Sequence, residues 1–191
     1  MANKIAIFII GAVILSLQIL GSRILAPHLG TTITVWAAII GIILASVSIG
    51  YYLGGILADK KLSKNLLSLI LFLAGIFVIL IIPIKNNVLG FHINYSYGVR
   101  SVFSSIAIFL IPGILLGAGI IYTIKLETKN IKTIGSANGT LYGISTAGSI
   151  IGVFLTSFYL IPNFTATNII SGLGIILFLT SFLILYSKSP T

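Results

Sequence analysis

Six long apolar runs, separated by short polar stretches, constrain this chain more than any other feature. They extend approximately from Lys4 to Gly21, Thr32 to Ala58, Asn65 to Ile84, Val102 to Lys125, Ala137 to Ile161 and Thr167 to Tyr186. A membrane-crossing helix needs about 20 mostly apolar residues, and each run meets that length. Backbone polar groups in hydrocarbon must be paired within the segment, or around a closed barrel whose strands alternate in polarity. These runs are continuous rather than alternating, so they predict helices. The expected fold is an all-α integral membrane bundle of about six transmembrane helices, forming one domain over residues 1–191.

Composition supports the same solvent. Only 7% of the 191 residues are charged and mean hydropathy is +1.20, whereas soluble domains carry about 25% charge. The net charge of +9 comes from eleven Lys and Arg against two acids. In a soluble chain such a balance would point to nucleic acid. Here it points to basic loops beside anionic lipid, and no nucleic-acid partner is expected. The first run could be taken for a signal peptide. No small-x-small cleavage pattern follows it, so it reads as the first span.

With the N-terminus inside, the inner loops hold Lys4, Lys60, Lys61, Lys64, Lys125, Lys129, Lys132 and Lys188, and the outer ones only Arg23, Lys85 and Arg100. Both acids, Asp59 and Glu127, also fall inside. The positive-inside rule therefore predicts a cell-membrane protein with both termini cytoplasmic. In the largest outer loop, Phe91, His92, Tyr95 and Tyr97 suit a headgroup-level aromatic belt, and Trp36 suits an interfacial anchor.

Two helices carry small and polar stripes. On the second, Gly41, Ala45, Ser48, Tyr52, Gly55 and Asp59 recur every three or four residues. On the fifth, Asn138, Tyr142, Ser145, Ser149, Gly152, Thr156 and Tyr159 do the same. Such spacing puts each set on one helix face, and in lipid a small, hydroxyl-bearing face is where helices meet. The second and fifth helices are thus expected inside the bundle. Each also holds a Gly-x-x-x-Gly, Gly50 with Gly54 and Gly148 with Gly152, and Gly55 adds to the first as a packing residue. These are the middle helices of the first and last three spans, which would fit an inverted 3+3 repeat, a transporter architecture. The alternative to tight packing is a solute path, with Gln18, Tyr52, Asn138, Tyr142, Ser145 and Ser149 as candidate cavity lining. Pro112-Gly113 should kink the fourth helix.

No catalytic or metal constellation emerges. There is no cysteine, and the two histidines, His28 and His92, lie in separate outer loops away from both acids. A metal site needs three or four ligands, so neither metal nor cofactor is expected. Arg23, placed after the first helix, reads either as a snorkelling side chain or as an ion-pair or anion contact at the outer mouth. Asp59 reads either as a local partner of Lys60, Lys61 or a neighbouring helix start, or as a gate latch with Lys60.

Three stretches carry a resemblance. They are Gln18-Ile19-Leu20-Gly21-Ser22-Arg23-Ile24-Leu25-Ala26-Pro27-His28-Leu29-Gly30 with Val35-Trp36, then Ser48 to Lys60, and then Gly139-Thr140-Leu141-Tyr142 through Ala147 to Gly152 and Leu160-Ile161-Pro162. In this order they resemble the membrane domain fused ahead of spermidine synthase-like (polyamine aminopropyltransferase-like) domains. Gly55, Asp59 and Lys60 also resemble the loop motif between the second and third helices of major facilitator transporters, where acid and base sit at a cytoplasmic hinge. The bundle would then be like half of such a transporter. The family often has an acidic residue where Gln18 stands, which leaves a cation or proton role there unsupported. No counterpart of the soluble synthase domain is present, so the expectation is a non-enzyme.

Two functions follow from the resemblance. The first is a membrane scaffold or anchor for a separate cytoplasmic enzyme of aminopropyltransferase-like or methyltransferase-like kind. The second is a small transporter, of polyamine or another small solute, working as a homodimer.

Overall fold

A computed structural model describes residues 1–90, 96–128 and 134–187. Phe91, His92 and Tyr95 of the expected aromatic belt, and Lys129, Lys132 and Lys188 of the basic loops, lie outside the described residues. All secondary structure among those described is helical. The helices are α1 (Ala2–Leu29), α2 (Ile33–Lys60), α3 (Lys64–Gly90), α4 (Tyr97–Glu127) and α5 (Ile134–Phe154). A π-helical segment (Leu155–Leu160) and a single turn, α6 (Ile161–Asn163), continue α5 into one long span. The last helix is α7 (Ala166–Tyr186). Six spans, including Gly135–Asn163 as the fifth, are long and apolar enough to cross a bilayer, which makes this a multi-pass membrane protein.

Several helices outrun their apolar runs. The 31 residues of α4 rise about 46 Å at 1.5 Å each, beyond a hydrocarbon core of about 30 Å. Intrahelical bonds satisfy the backbone equally well as it leaves lipid, so nothing ends the helix at the edge of the apolar stretch. The first helix likewise continues past Gly21 to Leu29, which places Arg23 inside α1 rather than after it. Pro27 lies in its last turn, where one lost bond is tolerated. Gly30 then turns the chain with φ +73° while its N–H bonds the Ala26 carbonyl at 2.9 Å. That left-handed conformation favours a residue without Cβ.

Three close pairs organise the bundle: α2 on α4, α1 on α5, and α3 on α7, with α4 also against α3 and α1. Glycine sets the first two contacts. A Cβ on Gly50 would lie 2.2 Å from the Ile114 carbonyl oxygen, and one on Gly54 would lie 2.6 Å from the Ala118 Cα. A Cβ on Gly117 would meet the Val47 carbonyl oxygen at 2.4 Å. Across the bundle the same figure recurs. A Cβ on Gly148 would lie 2.1 Å from the Phe8 carbonyl oxygen, one on Gly152 2.4 Å from that of Ala12, and one on Gly11 2.2 Å from that of Ser145. Phe8, Gly11 and Ala12 thus stand to Gly148, Ser145 and Gly152 as Ile114, Gly117 and Ala118 stand to Gly50, Val47 and Gly54. The third pair is reciprocal. Ser68 Oγ lies 3.0 Å from the Ser181 carbonyl oxygen, Ser181 Oγ lies 2.8 Å from that of Ser68, and the two hydroxyls are 2.9 Å apart.

The fifth span does not sit inside as expected, and the second packs on α4 through its glycine pair rather than through its stripe. Of its most apolar stretch the fifth span buries 22%, against 61% for α4. Its small face meets α1, while Ile150, Ile151, Phe154, Leu155 and Phe158 are exposed. Exposed apolar side chains in this number suit lipid rather than water. The buried centre belongs to α1 and α4, with Ile7, Ile10, Leu20, Phe109, Leu116 and Tyr122 among the fully enclosed side chains.

Candidate functional site

The two ends of the bundle differ chemically. At one end meet the start of α1 with Lys4, the end of α2 with Asp59 and Lys60, and the end of α4 with Lys125. There the connection between α2 and α3 is tied to α4. Asp59 pairs with Lys125, a partner one helix away rather than the adjacent Lys60 or Lys61. The Tyr122 hydroxyl donates to the Lys61 carbonyl oxygen and accepts from the Ser63 N–H at 2.8 Å. Lys64 Nζ reaches the Ser187 carbonyl oxygen at 3.1 Å, which adds the end of α7. Tyr122 is fully buried while its hydroxyl is consumed by the turn. Burying a phenol is inexpensive only when its O–H finds such partners.

This arrangement can act as a latch between α2, α3 and α4. The ion pair alone is a weak fastener, since its side chains are 51% and 66% exposed, and exposed pairs contribute about 0–1 kcal/mol. The Tyr122 bonds are the firmer element. Gly55 is half-buried, and a Cβ on it would meet only Ile121 Cγ2, at 3.9 Å. The motif Gly55–Asp59–Lys60 therefore presents its acid to α4 and leaves Lys60 exposed.

The expected stripe on α2 splits from its glycine pair. Gly50 and Gly54 face α4, whereas Gly41, Ala45, Ser48 and Tyr52 are exposed, Tyr52 to 72%. The reason lies in angle: at about 100° per residue, Gly50 stands some 200° around the helix from Ser48. One side approaches a backbone closely, and the other carries small and polar groups outward beside exposed Leu44, Ile49 and Leu53.

On the fifth span the stripe is mostly a contact. Ser149 Oγ donates to the Gly11 carbonyl oxygen at 3.0 Å. Thr156 Oγ1 donates to Ser16 Oγ at 2.8 Å, and Ser16 Oγ donates to the Gly152 carbonyl oxygen at 3.3 Å. Ser145 is buried against α1, while Tyr142 and Tyr159 are exposed. Asn138 is engaged locally: Thr128 Oγ1 lies 2.9 Å from its Oδ1 and 2.9 Å from the Ile124 carbonyl oxygen. Gln18 is half-buried on α1. Of the candidate lining residues, Ser145 and Ser149 lie in the α1–α5 seam, Tyr52 and Tyr142 are exposed, and Asn138 meets the end of α4.

At the other end Arg23 Nη1 donates to the Ile161 carbonyl oxygen at 2.8 Å. This joins α1 to α6 and holds the guanidinium at the rim. Tyr122, Lys125 and Lys85 are the contributors that sequence reading does not single out. Lys125 and Lys85 stand there only as loop charges, and Tyr122 is one aromatic within an apolar run. Compared with protein-family models, curated proteins and solved structures, the chain matches none.

Proposed function

We propose that this protein is a small-solute transporter that works as a homodimer, two six-span copies facing each other across the exposed side of α2. The observation that carries this reading is that outward face. In lipid, positions open to hydrocarbon favour large apolar side chains, whereas Gly41, Ala45, Ser48 and Tyr52 are small or polar and exposed. A second copy would give them neighbours. Tyr52, exposed on the same face, would border the path between copies.

The internal correspondence of contacts supports an inverted 3+3 duplication. The α1–α5 and α2–α4 seams use identically spaced residues, and exchange of the first three spans with the last three converts one seam into the other. That pattern is the one transporter folds use, and it agrees with the likeness to half a major facilitator transporter. In this reading the bundle lies in the cell membrane, the lysine-rich end is cytoplasmic, and the Asp59–Lys125 pair with Tyr122 latches that end. The resemblance to spermidine synthase-like membrane domains points to polyamines. The sequence has no acid away from the lysine-rich end, so the solute class is better left as small and polar.

A scaffold for a cytoplasmic aminopropyltransferase-like or methyltransferase-like enzyme is the second reading. The clustering of Lys4, Lys60, Lys61, Lys64 and Lys125 at one end favours it, because such a surface would receive an acidic soluble partner.

The test uses the purified chain in vesicles. Because the sequence has no cysteine, Ser48→Cys and Tyr52→Cys each introduce one reactive thiol. Transport predicts solute-dependent flux, a disulfide-linked dimer from both variants, and a changed flux in Asp59→Asn. Absence of flux for spermidine and for a panel of amines and amino acids, with monomers only, would overturn it. Recovery of a synthase-like enzyme on the immobilised chain would then favour the scaffold.

A further inference from the structure

At the end away from the lysines lies a cavity of about 300 Å³, bounded by α1, the end of α3 and the start of α7. Its wall includes Arg23 and His28 from α1, Lys85 from α3, and Thr165, Ala166 and Thr167 where α7 begins. We propose that this cavity binds a phosphate-bearing anion.

The charge distribution carries the proposal. The sequence contains two acids, Asp59 and Glu127, and both sit in the last turns of α2 and α4, at the opposite end of the bundle. No carboxylate side chain neutralises the two permanent cations of this cavity. Among the described residues three Lys or Arg belong to this end, namely Arg23, Lys85 and Arg100, and two of them converge here. Separate snorkelling would scatter them around the rim. Instead Arg23 and Lys85 come from different helices to one concave wall.

Their donors are available in geometry as well as in charge. Arg23 uses one amino group on the Ile161 carbonyl, and a guanidinium carries five N–H donors in a fork that matches a phosphate. Lys85 Nζ is 3.4 Å from Thr167 Oγ1, a long contact that a charged oxygen would readily displace. The third contribution is backbone. Thr165 caps α7, its hydroxyl accepting from Asn168 N–H at 3.3 Å. The first-turn amides of Ala166 and Thr167 have no carbonyl one turn back, and together with the helix dipole they favour negative charge. The volume is near the lower limit of small-molecule sites, so it suits a phosphate carrying a small organic group.

A phospholipid headgroup and a soluble phosphate compound share this chemistry, and two arms of one experiment separate them. The full chain is placed in phosphatidylcholine nanodiscs and its thermal midpoint is followed with inorganic phosphate, against sodium chloride at equal ionic strength. In parallel, discs containing phosphatidylglycerol are compared with discs of phosphatidylcholine alone. A rise with phosphate identifies a soluble anion, and a rise with phosphatidylglycerol identifies a headgroup. Lys85→Gln should weaken whichever response is seen by about tenfold in apparent affinity, the worth of one charge-assisted bond. Arg23→Gln should do the same, Arg23→Lys should recover part of it, and Arg100→Gln should leave it unchanged. If Arg23→Gln does not fold, Lys85→Gln still decides, because among the described residues its side-chain bond is the long one to Thr167. A wild-type midpoint indifferent to both probes, or a Lys85→Gln response equal to wild type, would overturn the proposal.

Discussion

Replacing Gly148 by alanine tests a contact in which the obstacle is backbone. The new Cβ would lie 2.1 Å from the Phe8 carbonyl oxygen, 2.9 Å from its carbon and 3.1 Å from the Phe8 Cα. Carbon and carbonyl oxygen settle at about 3.3–3.6 Å, and the atom in the way is backbone, so α1 and α5 must separate by about 1 Å. Overpacking of this kind costs about 1–3 kcal/mol. The same shift lengthens Ser149 Oγ–Gly11 O from 3.0 Å and Ser16 Oγ–Gly152 O from 3.3 Å, and each intramembrane hydrogen bond contributes about 0.6 kcal/mol. The expected destabilisation is therefore about 2–4 kcal/mol. Gly143→Ala on the same helix is the control, because nothing lies within 4 Å of its Cβ position; it should be neutral or slightly stabilising. Far-UV circular dichroism during unfolding by SDS in mixed micelles reads both. If Gly148→Ala unfolds within about 0.5 kcal/mol of Gly143→Ala, the two backbones are not in contact and the α1–α5 seam is wrong.

Three further outcomes follow from the bonds described above. Tyr122→Phe removes the hydroxyl that holds Lys61 and Ser63, so it should cost about 1–2 kcal/mol and speed tryptic cleavage at Lys60 and Lys61, read by mass spectrometry of the fragments. Asp59→Asn removes an exposed pair and should change unfolding free energy by no more than about 1 kcal/mol, whatever it does to flux; a larger loss would mean that the pair is not solvent-screened. Ser68→Ala and Ser181→Ala should each destabilise α3 on α7 by about 1 kcal/mol, and the double variant by clearly less than the sum, since the two hydroxyls bond each other.

Continuity of the apolar runs made the number of spans legible, because a hydrocarbon solvent leaves few alternatives for the backbone. Which face of α2 meets protein was not legible in the same way. Gly50 and Gly54 offer one small face, Gly41, Ala45 and Ser48 another, and a helix considered alone contains nothing that ranks them. The ranking comes from α4, whose own Gly113 and Gly117 fit against Ser46 and Val47. The partner of Asp59 is 66 positions away on α4, beyond any local pattern, so Lys60 and Lys61 looked equally good. The Ser149 and Thr156 bonds to α1 lay within a recognised stripe, yet Tyr142, in that same stripe, is exposed. Helix ends were the least legible. Polar residues such as Ser22, Arg23 and Ser101 suggest exit from lipid, but leaving lipid does not oblige a helix to stop.

The wide turn of the fifth span also affects what insertion or deletion would do. Leu155–Leu160 holds more residues per turn than the α-helix on either side. Removing one residue there would not break the rod; it would let the wide turn relax to ordinary helix, and because six residues at about 80° each turn through nearly the same angle as five at about 100°, everything after it would keep its facing. Gly148 and Gly152, upstream, would keep their grip on α1. Downstream, the Ile161 carbonyl would still face the Arg23 guanidinium, whereas a deletion in the α-helical part of the same span would rotate it by about 100°. The wide turn thus acts like a spare link in the rod, where one amino acid can be lost while the clamp on α1 and the contact at the rim both hold.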